Sequence, residues 1–382
     1  MFLVGGPLRD LLVERASLDV DLVAEGDGIA LARTLTASLG TRPRVHPAFG
    51  TATVTGDHWH IDVATARRET YRRPGALPDV TRATVDDDLR RRDFTINAMA
   101  LRLDGPDAGT LLDPLGGESD LRHGLIRVLH EGSFRDDATR ILRAARYQAR
   151  FRFQMEPQTL AWLRRDTPCL DTITGARLHR EFSRIFREAE PELALSLLDK
   201  TGALAAIHSG LAFPPERLAV LGWLRSAHPH GLASACWPLL ASAAAPGQAS
   251  GAARRVALTK TQTAAVEAMP RLRELAGALH SPSLRRSELV DILAPFPVAA
   301  LWAFAAVEAG PVRERCLDYL ERARHLKTVL RGDDVIALGV RRGPEVGDVL
   351  RRLRTAKLDG EVKTRRDEER FVRGLLAGAP AR

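Results

Sequence analysis

A change of period near residue 118 constrains this chain more than any other feature. Up to that point short apolar runs with strand character alternate with helical ones. Beyond Asp120 the strand signals fade, and stretches of helical period run to the end. Phe2-Leu3-Val4 reads as a short strand ending at Gly5-Gly6, with Pro7 where a helix starts and Leu8 to Glu14 as its body. Leu18 to Ala24 alternates charged and apolar residues, as a half-buried strand does. Ala30 to Leu39 has helical period, and Thr51 to Val54 and Trp59 to Ala64 read as strands around Gly56-Asp57-His58. The expected fold class is an α+β head followed by an all-α remainder. With 382 residues, two to four structural units are expected.

Charge narrows the partners. The net charge is +8, and the basic residues are 51 arginines and 5 lysines. Arginine's planar fork suits phosphate and base edges, although a GC-rich coding bias favours arginine as well. The net positive charge points to a polyanionic partner. Cys169, Cys236 and Cys316 lie far apart with no C-x-x-C, which argues against a disulfide framework or structural zinc and fits a reducing cytoplasm. The most apolar stretch, Gly231 to Pro246, is short, Ala- and Ser-rich and broken by Pro238, so no membrane partner is expected. Arg9 and Asp10 interrupt what would be an apolar signal segment, so no secretory signal is expected.

Candidate chemistry begins at Asp19-Val20-Asp21. Residues i and i+2 of a strand project from one face, about 6–7 Å apart along the backbone. Two carboxylates there suit one or two Mg²⁺ ions that activate a 3′-hydroxyl and hold triphosphate oxygens. Most such pairs are exposed strand charges. Position makes this pair more specific, because Gly5-Gly6 lies ahead on a strand-to-helix turn where backbone amides can approach phosphate. Asp62, in the strand His60-Ile61-Asp62-Val63, is a third candidate acid or a plain strand-end charge.

Five motifs then occur in order. Leu3-Val4-Gly5-Gly6-Pro7-Leu8-Arg9-Asp10 with Asp19-Val20-Asp21 is the first, and Arg91-Arg92-Asp93-Phe94-Thr95-Ile96-Asn97-Ala98-Met99-Ala100 the second. Asp113-Pro114-Leu115-Gly116-Gly117 with Asp120-Leu121 is the third. The fourth is Asp136-Asp137-Ala138-Thr139-Arg140-Ile141-Leu142-Arg143-Ala144-Ala145-Arg146-Tyr147, and the fifth, looser, is Arg177-Leu178-His179-Arg180-Glu181-Phe182. Together they resemble the tRNA nucleotidyltransferase and poly(A) polymerase family in its bacterial-type branch. The tail, Leu330-Arg331-Gly332-Asp333-Asp334 through Leu358-Asp359-Gly360-Glu361-Val362, also looks like that family's C-terminal end.

The resemblance implies a polymerase-β-like catalytic head over 1–118, a helical neck over 119–205 that recognises the base, a body over 206–325 and a tRNA-binding tail over 326–382. It implies a tRNA partner, CTP and ATP as substrates, and Mg²⁺ held by Asp19 and Asp21, with Asp62 beside them. Gly5, Gly6, Arg9, Arg92, Asp93, Asn97, Asp137, Arg140, Arg143 and Arg146 are the implied nucleotide-binding residues. Among these, Arg92 and Asp93 resemble residues near the sugar and triphosphate, and Asn97 one that holds the local turn. Two departures stand out: Asp136 where glutamate is usual, and Leu8 where valine is usual.

The fourth motif has a chemical logic. On a helix Asp137 and Arg140 share a face. An ionised Asp only accepts hydrogen bonds and an Arg only donates. Cytosine and adenine each offer an exocyclic amine beside a ring-nitrogen acceptor; uracil and guanine offer a carbonyl and a ring N–H. One Asp and one Arg can thus select C and A. The plain alternative is an i,i+3 ion pair on an exposed helix. Arg140, Arg143 and Arg150 recur on one helical side that suits phosphates.

Within the family, the full CCA addition competes with A-only or CC-only addition, with poly(A) synthesis, and with a non-catalytic RNA-binding role. The segment 67–88 is not shortened as it is in CC-only relatives, and Met99-Ala100-Leu101 replaces the aromatic residues usual in the polyadenylating branch. The histidines form no H-E-x-x-H or H-D pair.

Overall fold

The computed structural model describes residues 1–15, 19–47, 50–70 and 79–378. They form two compact units, Met1–Ile207 and His208–Arg382.

The first unit opens with Phe2–Val4 (β1), Gly5–Leu12 (α1), Asp19–Ala24 (β2), Gly28–Leu39 (α2), Arg44–His46 (β3), Thr51–Thr55 (β4), His60–Thr65 (β5), Arg67–Thr70 (β6), Asp79–Arg82 (β7) and Val85–Arg90 (α3). Ala100–Arg102 (β8) and Leu111–Leu112 (β9) follow. Seven strands make one mixed sheet in the order β3-β4-β5-β2-β1-β8-β9, in which β2 and β5 run parallel and side by side. The crossover between them carries α2, capped by Asp27, whose carboxylate accepts from the amides of Ile29 and Ala30.

Successive residues of β2 feed opposite faces of the sheet. Leu22 joins Ala32, Ala52, Val54 and Val63 on one side, and Val23 joins Phe2, Val4, Val85, Leu89 and Ala100 on the other. Both faces are covered, so β2 is buried from Leu22 onward rather than alternating along its length. Removing each of the Leu, Val and Phe side chains among these from water contributes roughly 1.5–3 kcal/mol. The buried half anchors the strand, and the other half carries the exposed Asp19 and the half-buried Asp21. Leu18, the expected first residue of this strand, lies outside the described residues, as do 71–78 within the segment compared above with CC-only relatives.

Five of the strands, β3 and β6 to β9, have no alternation to betray them: they are two to four residues long and mostly polar or partly exposed.

The helical remainder of this unit runs through Gly117–His123 (α4), Leu125–Ile126 (β10), Ser133–Asp136 (α5), Thr139–Phe151 (α6), Gln154–Met155 (β11), Pro157–Asp166 (α7), Gly175–Ile185 (α8), Pro191–Lys200 (α9) and Ala203–Ile207 (α10). The two-residue strands β10 and β11 pair in parallel, a small exception to the all-α expectation. α8 buries Leu178, Phe182 and Ile185 and turns Arg177, Arg180 and Arg184 the other way, a spacing of three and four that makes one polar stripe.

The second unit is helical. Its apolar centre includes Leu232–Leu240 (α12, after Arg217–Ala227, α11), with Trp237 buried and Pro238 inside the helix. Pro246–Arg255 (α13), Lys260–His280 (α14), Arg286–Leu293 (α15), Val298–Val307 (α16) and Gly310–Glu321 (α17) follow, with α14 and α16 packed against α12. No described helix is by itself long and apolar enough to cross a membrane. The bent pair α15 and α16 passes that test together, but Ala300 through Ala306 are buried in the unit's own core. Gly332–Ala337 (α18), Pro344–Leu358 (α19) and Arg365–Ala377 (α20) close on a core of Leu330, Val335, Leu353 and Val372. There the buried Glu368 accepts from Lys357 and from the amides of Val329 and Leu330.

Candidate nucleotide-binding site

The exposed end of β2 meets the matching end of β5, and the parallel register sets Asp19 beside His60 and Asp21 beside Asp62. His60 lies between the outer acids, 3.7 Å from Asp19 and 3.5 Å from Asp62, and the Thr53 hydroxyl donates to Asp62 at 2.6 Å. The side chains of Asp19 and Asp62 are 72% and 51% exposed, so both reach solvent. Asp21 sits deeper. Burial pushes its carboxyl above the ordinary range; Arg92 opposes this, while Asp62 and Asp19 add to it.

The like charges beside Asp21 add to that rise, and a hard divalent cation would relieve the crowding. Mg²⁺ takes oxygen ligands and usually only one or two protein carboxylates, with water and phosphate completing its shell. The donor set fits that requirement. Among the described residues no group of three or more His, Cys, Asp or Glu side chains is arranged to hold a metal ion by itself.

Gly5 begins α1 with φ +68°, and a Cβ there would stand 2.8 Å from Arg92 Nη1 and 3.3 Å from Asp21 Oδ2. Glycine is required both by the backbone angle and by this close approach. Arg92 is braced by Asp88 Oδ2 at 3.0 Å and by the Asn97 carbonyl, while its buried Nε has no partner. Asp88 is fully buried; burial works against its charge, but Arg92 and Arg91 hold its carboxyl below the usual range.

Asp93 anchors the next layer. Its Oδ1 accepts from the Phe94 amide and from Asn97 Nδ2, each at 2.9 Å, and its Oδ2 accepts from Arg143 Nε at 2.7 Å and Nη2 at 2.5 Å. A carboxylate has about four acceptor positions, and all four are used. Burial opposes ionisation here, yet Arg143 and Asn97 hold the carboxyl down at about 2. Asp93 therefore fixes Arg143 and the Thr95–Asn97 turn, with no acceptor capacity left for a sugar hydroxyl in this arrangement. Arg9 continues the chain: buried, it donates to Asn97 Oδ1 and lies over the rings of Phe151 (4.5 Å) and Tyr147 (5.3 Å).

The fourth motif differs from one continuous helix. α5 ends at Asp136 and α6 starts at Thr139, leaving Asp137 in extended backbone between them. Its carboxylate pairs with Arg177 of α8 and with Thr139, rather than with Arg140. The physical cause is local: the Thr139 amide and hydroxyl at the start of α6 are donors two residues away, which draws Asp137 into an Asx turn. Arg140 donates to the carbonyls of Ser133 (3.3 Å) and Arg91 (2.8 Å). The three arginines expected on one side of α6 also diverge, with Arg143 turned to Asp93 and Tyr147 and Arg150 to Glu188.

These groups share one cavity of about 540 Å³, lined by Gly5, Gly6, Asp21, Arg92, Asp93, Asn97, Asp137, Arg140 and Arg143 among the expected residues. Arg9, Arg146, Asp19 and Asp62 are not part of its lining. Arg146 is buried against Glu188 and the Tyr147 ring. Residues that the motifs left without a role also line it: Glu69 and Arg91 beside β6 and α3, and Arg177, Arg180, Glu181 and Arg184 of α8. The i, i+3, i+4, i+7 spacing of the last four was the available signal. Seven arginines against five carboxylates leave the wall positive, as a polyanionic ligand requires.

A mixed sheet with acids on adjacent strand ends, beside an arginine-rich cavity, has the makings of a site for a metal-bound nucleotide, and nucleotidyltransferases are what the chain is similar to. Residues 1–127 match the poly A polymerase head domain, and 152–213 match the probable RNA and SrmB-binding site of polymerase A. The chain is 34% identical to an A-adding tRNA nucleotidyltransferase of Geobacter sulfurreducens over 99% of its own length and 45% of that protein's. It is 32% identical to a CC-adding tRNA nucleotidyltransferase of Deinococcus radiodurans, covering 99% of this chain and 90% of the relative. The Thermotoga maritima CCA-adding enzyme complexed with tRNA is 28% identical, superposes with a TM-score of 0.80, and is matched over 98% of this chain and 91% of that one. The chain belongs to the tRNA nucleotidyltransferase and poly(A) polymerase family.

Proposed function

We propose that the protein adds C and A residues from CTP and ATP to the 3′ end of tRNA, without a nucleic-acid template, and completes CCA. The observation that carries this reading is one cavity lined both by Asp21, at the acid cluster of the sheet, and by the Asp137 and Arg140 that can read a base. Asp19 and Asp21, with Asp62 beside them, would hold magnesium, whose charge neutralises triphosphate oxygens and acidifies a hydroxyl. The amides at the start of α1 and the braced Arg92 bind the triphosphate; Gly5 lets them approach. Asp93 holds Arg143 in place. Asp137 accepts from the exocyclic amine of C or A, and Arg140 donates to the ring nitrogen. In this reading 1–118 is the catalytic head, 119–205 the neck, 206–325 the body and 326–382 the tail that binds tRNA, and the protein acts in the cytoplasm.

A-only addition is the second reading, favoured by the 34% identity to an A-adding relative. Purified protein given Mg²⁺ and tRNA lacking CCA, ending in C, or ending in CC, with CTP or ATP separately, decides between them. CMP transfer to tRNA lacking CCA together with AMP transfer to tRNA ending in CC supports full addition. AMP transfer alone supports the second reading, and no transfer at all defeats both.

A further inference from the structure

Asp137 lies outside both helices that flank it, so helix packing does not fix its side chain. What fixes it is a set of four bonds. Oδ1 accepts from the Thr139 amide at 3.0 Å, the Thr139 hydroxyl at 2.7 Å and Arg177 Nη2 at 2.7 Å, while Oδ2 accepts from the same Arg177 nitrogen at 2.7 Å. With about two acceptor positions on each oxygen, Oδ1 is full and Oδ2 keeps one. Thr139 alone pins one oxygen and leaves the carboxylate free to pivot about it. Arg177, forty positions later on α8, bridges both oxygens and fixes the plane.

Arg140 is held by the same principle from the other direction. Its two Nη atoms each spend one hydrogen on a backbone carbonyl, Ser133 on one side and Arg91 on the other, and keep one. The cavity is thus left with one committed acceptor on Asp137 and donors on Arg140, the complement of a cytosine or adenine edge.

We infer that Arg177 is a positioning residue for base selection: by bridging the Asp137 carboxylate it presents Oδ2 as a single, oriented acceptor. The inference rests on the base-reading role proposed above for Asp137 and Arg140. Arg177 itself need not touch the nucleotide. A misplacement of the acceptor by about 1 Å is enough to cost on the order of a hundredfold in the correct reaction, and a pivoting carboxylate no longer rejects the uracil or guanine edge.

The test measures kcat/KM for CTP, ATP, UTP and GTP on tRNA acceptors, with wild type, Arg177→Ala and Arg177→Lys. Thermal unfolding and the KM for tRNA are followed in parallel. Arg177→Ala is expected to lower discrimination of CTP over UTP, and of ATP over GTP, by roughly ten- to a hundredfold. Tm and the KM for tRNA should stay near wild type, because the side chains of Asp137 and Arg177 are partly exposed. Since a single Arg177 nitrogen makes both bonds, Arg177→Lys should recover most of the selectivity. Wild-type selectivity retained in Arg177→Ala overturns the inference, as does tighter CTP and ATP binding with selectivity intact, which would mark Arg177 as a competitor for Asp137. A wild-type protein that transfers all four nucleotides equally defeats the underlying base-reading proposal instead. Should the alanine variant unfold, unrelaxed selectivity in Arg177→Met overturns the inference in its place.

Discussion

The acid cluster on the sheet and the helical wall of the cavity are built to opposite rules. At the sheet end, Asp19 and Asp62 are largely exposed and Asp21 is crowded by like charges. At the helical end, Asp93 uses all four acceptor positions on protein donors, and Asp137 and Arg140 are tethered by Thr139, Arg177 and two backbone carbonyls. On the function proposed above, the contrast follows from what each end would bind. Carboxylates that receive a cation need open oxygens, and mutual repulsion among them is tolerable because the cation relieves it. Groups that discriminate bases must not rearrange to suit the wrong one, so their surplus hydrogen-bonding capacity is consumed by the protein.

Breaking the sheet end should have the largest effect. Asp21→Ala is expected to lower nucleotide addition about a thousandfold or more, while tRNA binding by filter retention stays within a fewfold; addition near the wild-type rate would remove Asp21 from the chemistry. At the helical end, Arg140→Ala should relax base choice before it stops addition. Each unpaired buried polar group costs about 1–3 kcal/mol, so misincorporation of U and G should rise on the order of ten- to a hundredfold in single-turnover assays. Unchanged C and A selectivity would refute base reading by this residue.

Asp93 sharpens the contrast through stability. Its carboxyl is held at about 2 in the folded protein, below the unfolded value of about 3.9. A depressed folded value means that the contribution, roughly 2 kcal/mol, is complete above the unfolded value and is lost as pH falls through about 4 towards 2. Denaturant unfolding followed from pH 6 to pH 2.5 should show this loss in wild type and a shallower one in Asp93→Asn; parallel curves would show that Asp93 is not held as described. The smallest effect is expected where neither rule applies. Arg90 and Asp86 form an exposed i,i+4 pair, and because solvent screens such a pair, Arg90→Ala should leave the denaturant midpoint and base choice unchanged.

Legibility in the sequence divides along the same line. Asp19 and Asp21 were readable because strand period puts i and i+2 on one face, and Gly5 because a turn and a phosphate both call for it. The two-residue offset at α1 and the early start of α2 at Gly28 are boundary shifts that leave the architecture unaltered. Arg9 and Arg146 were harder. Their motif membership suggested the ligand, whereas their side chains lie against aromatic rings and carboxylates of the interior. No local pattern separates an arginine that faces a ligand from one that braces a core.

By itself the sequence determined the longer elements of the head, the change from mixed to helical structure after it, the positive charge, and which acids and arginines to propose for the site. All of these depend on neighbours a few positions away. Only the tertiary structure decided that Asp21 faces Asp62 across a parallel pair, that Asp93 is saturated by Arg143 fifty residues later, and that Asp137 answers to Arg177 rather than to Arg140. Those pairings join distant parts of the chain, and hydrogen-bond capacity is allotted only when the packed structure brings every donor and acceptor into reach.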